Sequence, residues 1–223
     1  KRRQFIIKGG KFSGFVYLVV SIFFIMFVTI KYITMLIGII GKKRSGKDTS
    51  GDYLVSNKNF TKYSFANPIK RGAMELFGFT EEQVFGDLKD EIDPTWGITP
   101  RLVLQIMGTE VFQYDMPKYI PELQVFGRSF WVKRFEQWYN QNKDLDVVIC
   151  DVRFQHEVDA ILKMGGTILS VQRPNLSTGD EHASEKEMDS IVGITTEIIN
   201  DRTLHDLYDK IDNLVNDLRK PLS

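Results

Sequence analysis

The sequence predicts an α/β fold of three layers, a five-stranded parallel sheet flanked by helices. Three observations predict it. From Met35 onward, short β-rich runs alternate with stretches of helical periodicity. Several of those runs are almost wholly apolar, as strands buried on both faces are. A glycine-bearing basic turn directly follows the first run and leads into a helical pattern. With 223 residues, 43% of them hydrophobic and 26% charged, the chain has material for one domain with a substantial core.

The chain opens at Lys1 and runs from Phe12 to Ile30 without a charge. A bilayer span needs roughly 20 apolar residues, so the run is long enough. Two features argue against a working anchor. Met35 opens the segment MLIGIIG, which reads as the first core strand, so only a few residues would separate that strand from lipid. Basic residues flank both ends of the run, which leaves the positive-inside rule without a direction. No small-residue cleavage site follows to mark a secretory signal. Residues 1–34 are therefore read as an over-extended reading frame ahead of a start at Met35. The alternative is a single N-terminal membrane anchor. Residues 35–223 form the folded domain, placed in the cytoplasm.

The strands expected are Leu36 to Ile40, Lys62 to Phe65, Val147 to Cys150, Thr167 to Val171 and Glu197 to Ile199. Between the third and fourth, Phe154, Val158, Ile161 and Leu162 recur at helical spacing, and Gly165 and Gly166 stop the helix. The last helix carries Leu204, Leu207, Tyr208, Ile211, Leu214, Val215 and Leu218 on one face, with Thr203 and Asp206 as a capping pair. The section from Asn67 to Asn142 reads mainly helical. It is interrupted near Asp93, Pro94 and Gly97, and again by the proline-bearing stretch Met116 to Pro121.

Charge and cysteine content narrow the function. The 29 basic and 29 acidic residues cancel, so no global field recruits nucleic acid or an anionic membrane. Phosphate must then be held by a local site. The one cysteine, Cys150, has no internal disulfide partner, and the three histidines lack metal-ligand spacing with it. A reducing compartment and no zinc follow as expectations.

The local site is Gly41-Lys42-Lys43-Arg44-Ser45-Gly46-Lys47-Asp48-Thr49. Glycines at this spacing let the backbone curl so that successive N–H groups face a phosphate, and the helix N-terminus adds its positive end. Gly41, Lys43, Arg44, Ser45, Gly46, Lys47 and Thr49 are the candidate phosphate-binding residues, with Lys47 reaching the β and γ groups of ATP. The serine or threonine that usually follows the lysine is here Asp48, with Thr49 next. Either side chain is a candidate ligand of Mg²⁺. A solvated basic turn is the competing reading, but a buried strand before and a helix start after favour the phosphate loop.

A second candidate element ends the third strand. Asp151 stands where ligands sit in open α/β sheets, and a carboxylate there can hold Mg²⁺ directly or through water. As a lone feature it equally reads as a helix cap. Arg153, two residues on, sharpens the case, because guanidinium forks suit phosphate oxygens and a migrating phosphoryl group needs positive charge. Arg101, Arg128 and Arg153, with Lys70 and Arg71 at the start of the helix after Asn67-Pro68, are the candidates for the acceptor side. Cys150 is expected to fill core space, and Trp96, Trp131 and Trp138 to fill core or groove rather than to stack on a base. His156, His182 and His205 read as surface residues, and Asp180 to Asp189 as a solvated loop bordering the ATP site.

These segments resemble the phage-type and large-virus deoxynucleoside monophosphate kinase family. The resemblance rests on the phosphate loop, Phe65-Ala66-Asn67-Pro68-Ile69-Lys70 and Leu104-Gln105-Ile106-Met107-Gly108-Thr109-Glu110. It continues in order through Phe130-Trp131-Val132-Lys133, Asp151-Val152-Arg153, His156-Glu157, Met164-Gly165, Arg173-Pro174 and Asn200-Asp201. The stretch from Glu81 to Ile98 is shorter than the resemblance leads one to expect. What the resemblance implies is a P-loop kinase fold and ATP with Mg²⁺. It also implies transfer of the γ-phosphoryl group to a deoxynucleoside monophosphate, supplying DNA precursors. Lys47, Asp48 and Arg153 then carry catalysis, Lys70, Arg101, Arg128, Asp151 and Arg153 the acceptor, and Asp48, Thr49 and Asp151 the metal. The expected partners are the two nucleotides, with no nucleic acid and no membrane, and a homodimer left open. The runner-up is the phosphomevalonate kinase group, similar around the same loop and Asp-x-Arg segment. A non-catalytic, membrane-tethered nucleotide-binding protein is a third reading. A GTPase switch is disfavoured because no Asn-Lys-x-Asp element is present.

Overall fold

β1 (Leu36–Ile40) is buried at all five positions, which a strand achieves only with neighbours on both edges and helices on both faces. Its pleat sends alternate side chains to opposite layers. Leu36 and Ile40 join a core with Phe65, Phe135, Ile149, Ile161 and Ile168. Ile37 and Ile39 join a second core with Leu54, Val148, Leu169, Leu207 and Ile211. In a computed structural model, residues 34–174 and 190–220 are described, all within the unit that begins at Thr34. Residues 1–33 of the N-terminal extension, the stretch from Asp180 to Asp189 and His182 lie outside the described residues.

The elements follow in the order β1, α1 (Lys47–Lys58), β2 (Thr61–Tyr63), α2 (Asn67–Phe77), α3 (Glu81–Val84), a 3₁₀ turn (Asp87–Asp90) and α4 (Pro100–Gln105). A wide-turned π-helix (Ile106–Asp115) continues into α5 (Met116–Tyr119), two short 3₁₀ turns and α6 (Phe130–Gln141). Then come β3 (Val147–Ile149), α7 (Gln155–Lys163), β4 (Thr167–Gln172), β5 (Thr196–Ile199) and α8 (Leu204–Leu218). The sheet order is β2-β3-β1-β4-β5. Every pairing is parallel, so all five strands leave the sheet at the same edge. The three-layer α/β fold with a five-stranded parallel sheet is therefore as the sequence predicts.

Helix packing explains two glycines. A Cβ on Gly38 would stand 2.7 Å from Ile161 Cδ1, so the missing side chain lets α7 approach β1. A Cβ on Gly51 of α1 would overlap Cys150 Sγ, so α1 rests directly on the end of β3. A third, smaller core of Ala73, Phe79, Val84 and Val103 holds α2, α3 and α4 together. α8 starts as expected, with Asp206 N–H donating to Thr203 Oγ1 (3.2 Å) and Thr203 N–H to Asp206 Oδ2 (3.0 Å). Among the described residues, no helix is long and apolar enough to cross a membrane.

Most strand ends fall within a single residue of expectation, and two larger differences have identifiable reasons. β2 ends at Tyr63 rather than Phe65, because Phe65 and Ala66 give their N–H groups to the Asp151 carboxylate. The stretch from Met116 to Pro121 does not break the helix at its start. Pro117 lies within helical backbone that continues from the π-helix, and Met116 before it is still helical at φ −53°, ψ −41°. The break comes at Ile120, with φ −125° and ψ 85°, because a residue before proline is pushed out of the α region.

The Gly51 contact gives a test of α1 docking. Gly51→Ala should destabilise by about 1–3 kcal/mol from overpacking, outweighing its gain of about 1 kcal/mol in helix propensity. In a Cys150→Ala background the penalty should largely vanish. Denaturant melts of the four proteins measure the coupling, and strictly additive effects would contradict the contact.

Candidate active site

The segment after β1 closes on itself. Ser45 N–H donates to Lys42 O at 3.1 Å, Arg44 takes φ 66° and Gly46 φ 104°. The left-handed position at Gly46 is one that glycine adopts without steric cost. Gly41 is needed for space, because a Cβ there would come within 2.5 Å of both Ser45 Oγ and the carbonyl oxygen of Val171 on β4. Asn200, just past β5, donates from Nδ2 to Ser45 O at 2.9 Å and thereby ties the loop to the far side of the sheet. α1 begins at Lys47 with no side-chain cap on its first N–H groups. Uncapped N–H groups at a helix start are a ready anion site. Lys47 Nζ lies 2.7 Å from Asp48 Oδ2, the lysine side chain 16% exposed and the aspartate 65%. The Ser45 hydroxyl is buried with no partner.

On the β3 side, Asp151 follows the strand with its carboxylate already engaged. Oδ2 accepts from Ser64 Oγ (2.6 Å) and Ala66 N–H (3.1 Å), and Oδ1 from Phe65 N–H (3.2 Å). An ionised carboxylate offers about four acceptor directions, so one is left. Arg153 is exposed, and Phe154 beside it carries the Arg128 guanidinium 4.9 Å from its ring centroid. Lys70 sits 4.8 Å from the Phe85 ring centroid. Burial holds its pKa below the usual lysine value, with Lys89 and Arg153 adding to the effect and Asp151 opposing it. Those couplings put Lys70, Asp151 and Arg153 in one electrostatic neighbourhood.

Arg101 is placed differently. Its Nε and one terminal nitrogen clasp both oxygens of Asp90 on the 3₁₀ turn, the second contact at 2.8 Å. This pairing holds the Asp90 carboxyl below its usual range, with Lys43 of the phosphate loop adding to the effect. Arg128 thus lies over Phe154, next to Arg153, and Lys70 is electrostatically coupled to Asp151 and Arg153, while Arg101 is engaged by Asp90. Cys150 is inert core, its thiol pushed by burial up to about 12.

A cavity of about 390 Å³ opens on the other side of the loop, lined by Arg44, Thr49, Arg173, Asn200, Arg202 and Leu207 among others. Sequence reasoning did not single out Arg173, Asn200 or Arg202, nor Ser64 and Glu157, as site residues. Arg173, Asn200 and Glu157 lie in segments that carry the family resemblance, and that was the available signal. Among the described residues, no three His, Cys, Asp or Glu side chains gather into a cation site. Asp48 and Thr49 nevertheless fit a hard cation with oxygen donors, because Mg²⁺ is commonly bound by one or two protein oxygens together with substrate phosphates.

The family model described as deoxynucleotide monophosphate kinase matches residues 35–91 and 73–211. A protein of Acanthamoeba polyphaga mimivirus, provisionally given the same name, is 35% identical over 189 residues, 82% of this chain and 96% of the relative. The deoxynucleotide monophosphate kinase of Enterobacteria phage T4 is 25% identical over 247 residues, 80% of this chain and 97% of the relative. Among solved structures, a dephospho-CoA kinase from Campylobacter jejuni superposes with a TM-score of 0.44 at 16% identity, covering 82% of this chain and 96% of that one.

Glu157, 6% exposed on the first turn of α7, gives a pH test. Burial raises its pKa from 4.5 to about 8, against the downward pull of two backbone N–H groups. Its contribution to stability is therefore fully present below about pH 4.5 and is lost as the pH rises through about 8. Glu157→Gln should remove this slope, so the variant gains relative to wild type as the pH goes from 5 to 8.5. A constant difference in melting temperature across that range would contradict it.

Proposed function

The chain belongs to the deoxynucleotide monophosphate kinase family, and we propose that it moves the γ-phosphoryl group of ATP onto a deoxynucleoside monophosphate, giving ADP and a deoxynucleoside diphosphate. One observation carries the reading. A closed phosphate loop, backed by an uncapped helix start, leaves β1 beside the Asp151 to Arg153 turn that follows the adjacent parallel strand. The family match and the named relatives favour this acceptor over phosphomevalonate. They also favour an enzyme over a non-catalytic binding protein.

The two sides of β1 divide the labour. On the β4–β5 side, the loop, Arg173, Asn200 and Arg202 receive ATP in the 390 Å³ cavity. The loop and helix N–H groups take the phosphates, and Lys47 leaves Asp48 for the oxygens between the β and γ groups. On the β3 side, Lys70, Arg128 and Arg153 hold the acceptor phosphate, with Arg101 joining when Asp90 releases it. A monophosphate ester has its second pKa near about 6, so at neutral pH the attacking oxygen carries no proton and no general base is required. The acceptor oxygen bonds to the γ phosphorus as the bond from that phosphorus to the bridging oxygen breaks, and ADP leaves. Fixed cations placed where charge develops stabilise the transition state beyond the ground state.

Asp48 and Thr49 would hold Mg²⁺ together with the phosphates, with the remaining acceptor direction of Asp151 available to the cation or its water. When bound, Mg²⁺ supplies charge neutralisation on the phosphate oxygens. If Thr49 rather than Asp48 is the ligand, Thr49→Ala loses activity at limiting Mg²⁺ and Asp48→Asn does not.

ADP formation measured over a panel of deoxynucleoside monophosphates, ribonucleotides and phosphomevalonate tests the assignment. Turnover should require a deoxynucleoside monophosphate, and activity with phosphomevalonate alone would overturn the proposal. Lys47→Ala should lower kcat by about 10² to 10³, the scale of losing one preorganised donor, with little change in melting temperature. Wild-type turnover in that variant would remove Lys47 from the mechanism.

A further inference from the structure

Glu157 is a buried carboxylate to which the transfer mechanism assigns no task. A carboxylate taken out of water is costly unless it is hydrogen-bonded. Here one oxygen, Oε2, accepts both Arg153 N–H (2.7 Å) and Phe154 N–H (3.1 Å). Helix capping alone does not explain this pair. Phe154 is the N-cap residue of α7, and a side chain at the third helical position that reaches back to the cap N–H completes ordinary capping. α8 does this with Asp206, which is only half-buried, whereas Glu157 is buried. The shorter bond of Glu157 passes beyond the cap to the preceding residue, Arg153, inside the Asp151-Val152-Arg153 turn.

That turn is also held at its other end, where Asp151 binds Ser64, Phe65 and Ala66. The exposed Arg153 side chain therefore springs from a backbone fastened on both sides. We propose that Glu157 is a positioning residue for phosphoryl transfer: it fixes the main chain of Arg153 so that the guanidinium is aimed at the phosphoryl group before substrate arrives. The inference rests on the reading of Arg153 as a phosphate-binding residue. Its requirement is an acceptor oxygen at the Oε2 position, not a charge. Glutamine supplies such an oxygen. Aspartate keeps the carboxylate but is one methylene too short to keep both bonds.

The experiment uses the full chain and steady-state kinetics with ATP and a deoxynucleoside monophosphate, well below the melting temperature of each variant. Glu157→Gln should keep kcat within about twofold of wild type. Glu157→Asp should lower kcat by about tenfold to a hundredfold, the scale of misplacing a catalytic group by about 1 Å, with KM for ATP little changed. Adding Glu157→Asp to Arg153→Ala should cost little more than Arg153→Ala alone, because the effect passes through the missing guanidinium. Multiplicative losses in the double variant, full kcat in Glu157→Asp, or loss of kcat in Glu157→Gln would each overturn the proposal. A fall in melting temperature without a fall in kcat would reduce Glu157 to a helix cap and overturn it equally. Full kcat in Arg153→Ala would instead strike the reading of Arg153 itself, and the positioning role with it.

Discussion

The parallel pairing of β1 with β3 on one edge and β4 on the other is the constraint from which the rest follows. Its register sets Leu36 against Val147 and Ile37 against Thr167, and so brings the phosphate loop and the Asp151 turn out at the same edge. A slip of one residue would exchange the two cores, since Leu36 and Ile37 face opposite layers. Burial on both faces thus does more than stabilise the sheet, because it determines which loops meet. Gly41 shows how tightly: its α-carbon lies so near the Val171 carbonyl that no side chain fits.

The edge itself is organised by carboxylates that hold backbone. Asp151 fastens the segment before α2, which leads to Lys70, and Glu157 fastens the residue that carries Arg153. Asp151 lies close to the proposed anion site, while Glu157, whose pKa burial raises to about 8, carries little charge at neutral pH. The Asp151 oxygens receive N–H and O–H donors, which leaves the exposed cations to set the potential that an incoming phosphate would meet. The Asp90 to Arg101 clasp has a different character, because both groups are largely exposed and such pairs are worth little in water. A phosphate can therefore compete for Arg101 at small cost.

The sheet was legible because its signals are local. The β-rich runs, several of them apolar, the glycines of the phosphate loop and the Thr203 to Asp206 cap each sit within a few neighbouring residues, and each strand appears within two residues of its expected ends. What was not legible depends on partners far away in sequence. The early end of β2 is caused by Asp151, some 86 residues on. Asn200 reaches a loop 155 residues earlier. Arg101, Arg128 and Arg153 look alike in sequence, yet one is clasped by Asp90, one lies over Phe154, and one stands exposed. Glu157 read only as part of a resembling segment, because burial and a two-pronged bond are properties of the folded chain.

We propose phosphoryl transfer between two nucleotides at the β1 and β3 edge, not hydrolysis of one. ATP labelled in its γ-phosphate, incubated with the full chain and a deoxynucleoside monophosphate, tests it most directly. The label should appear in the terminal phosphate of the deoxynucleoside diphosphate, in step with ADP, and Lys47→Ala should suppress both. Label released as inorganic phosphate at a rate independent of the acceptor would contradict it.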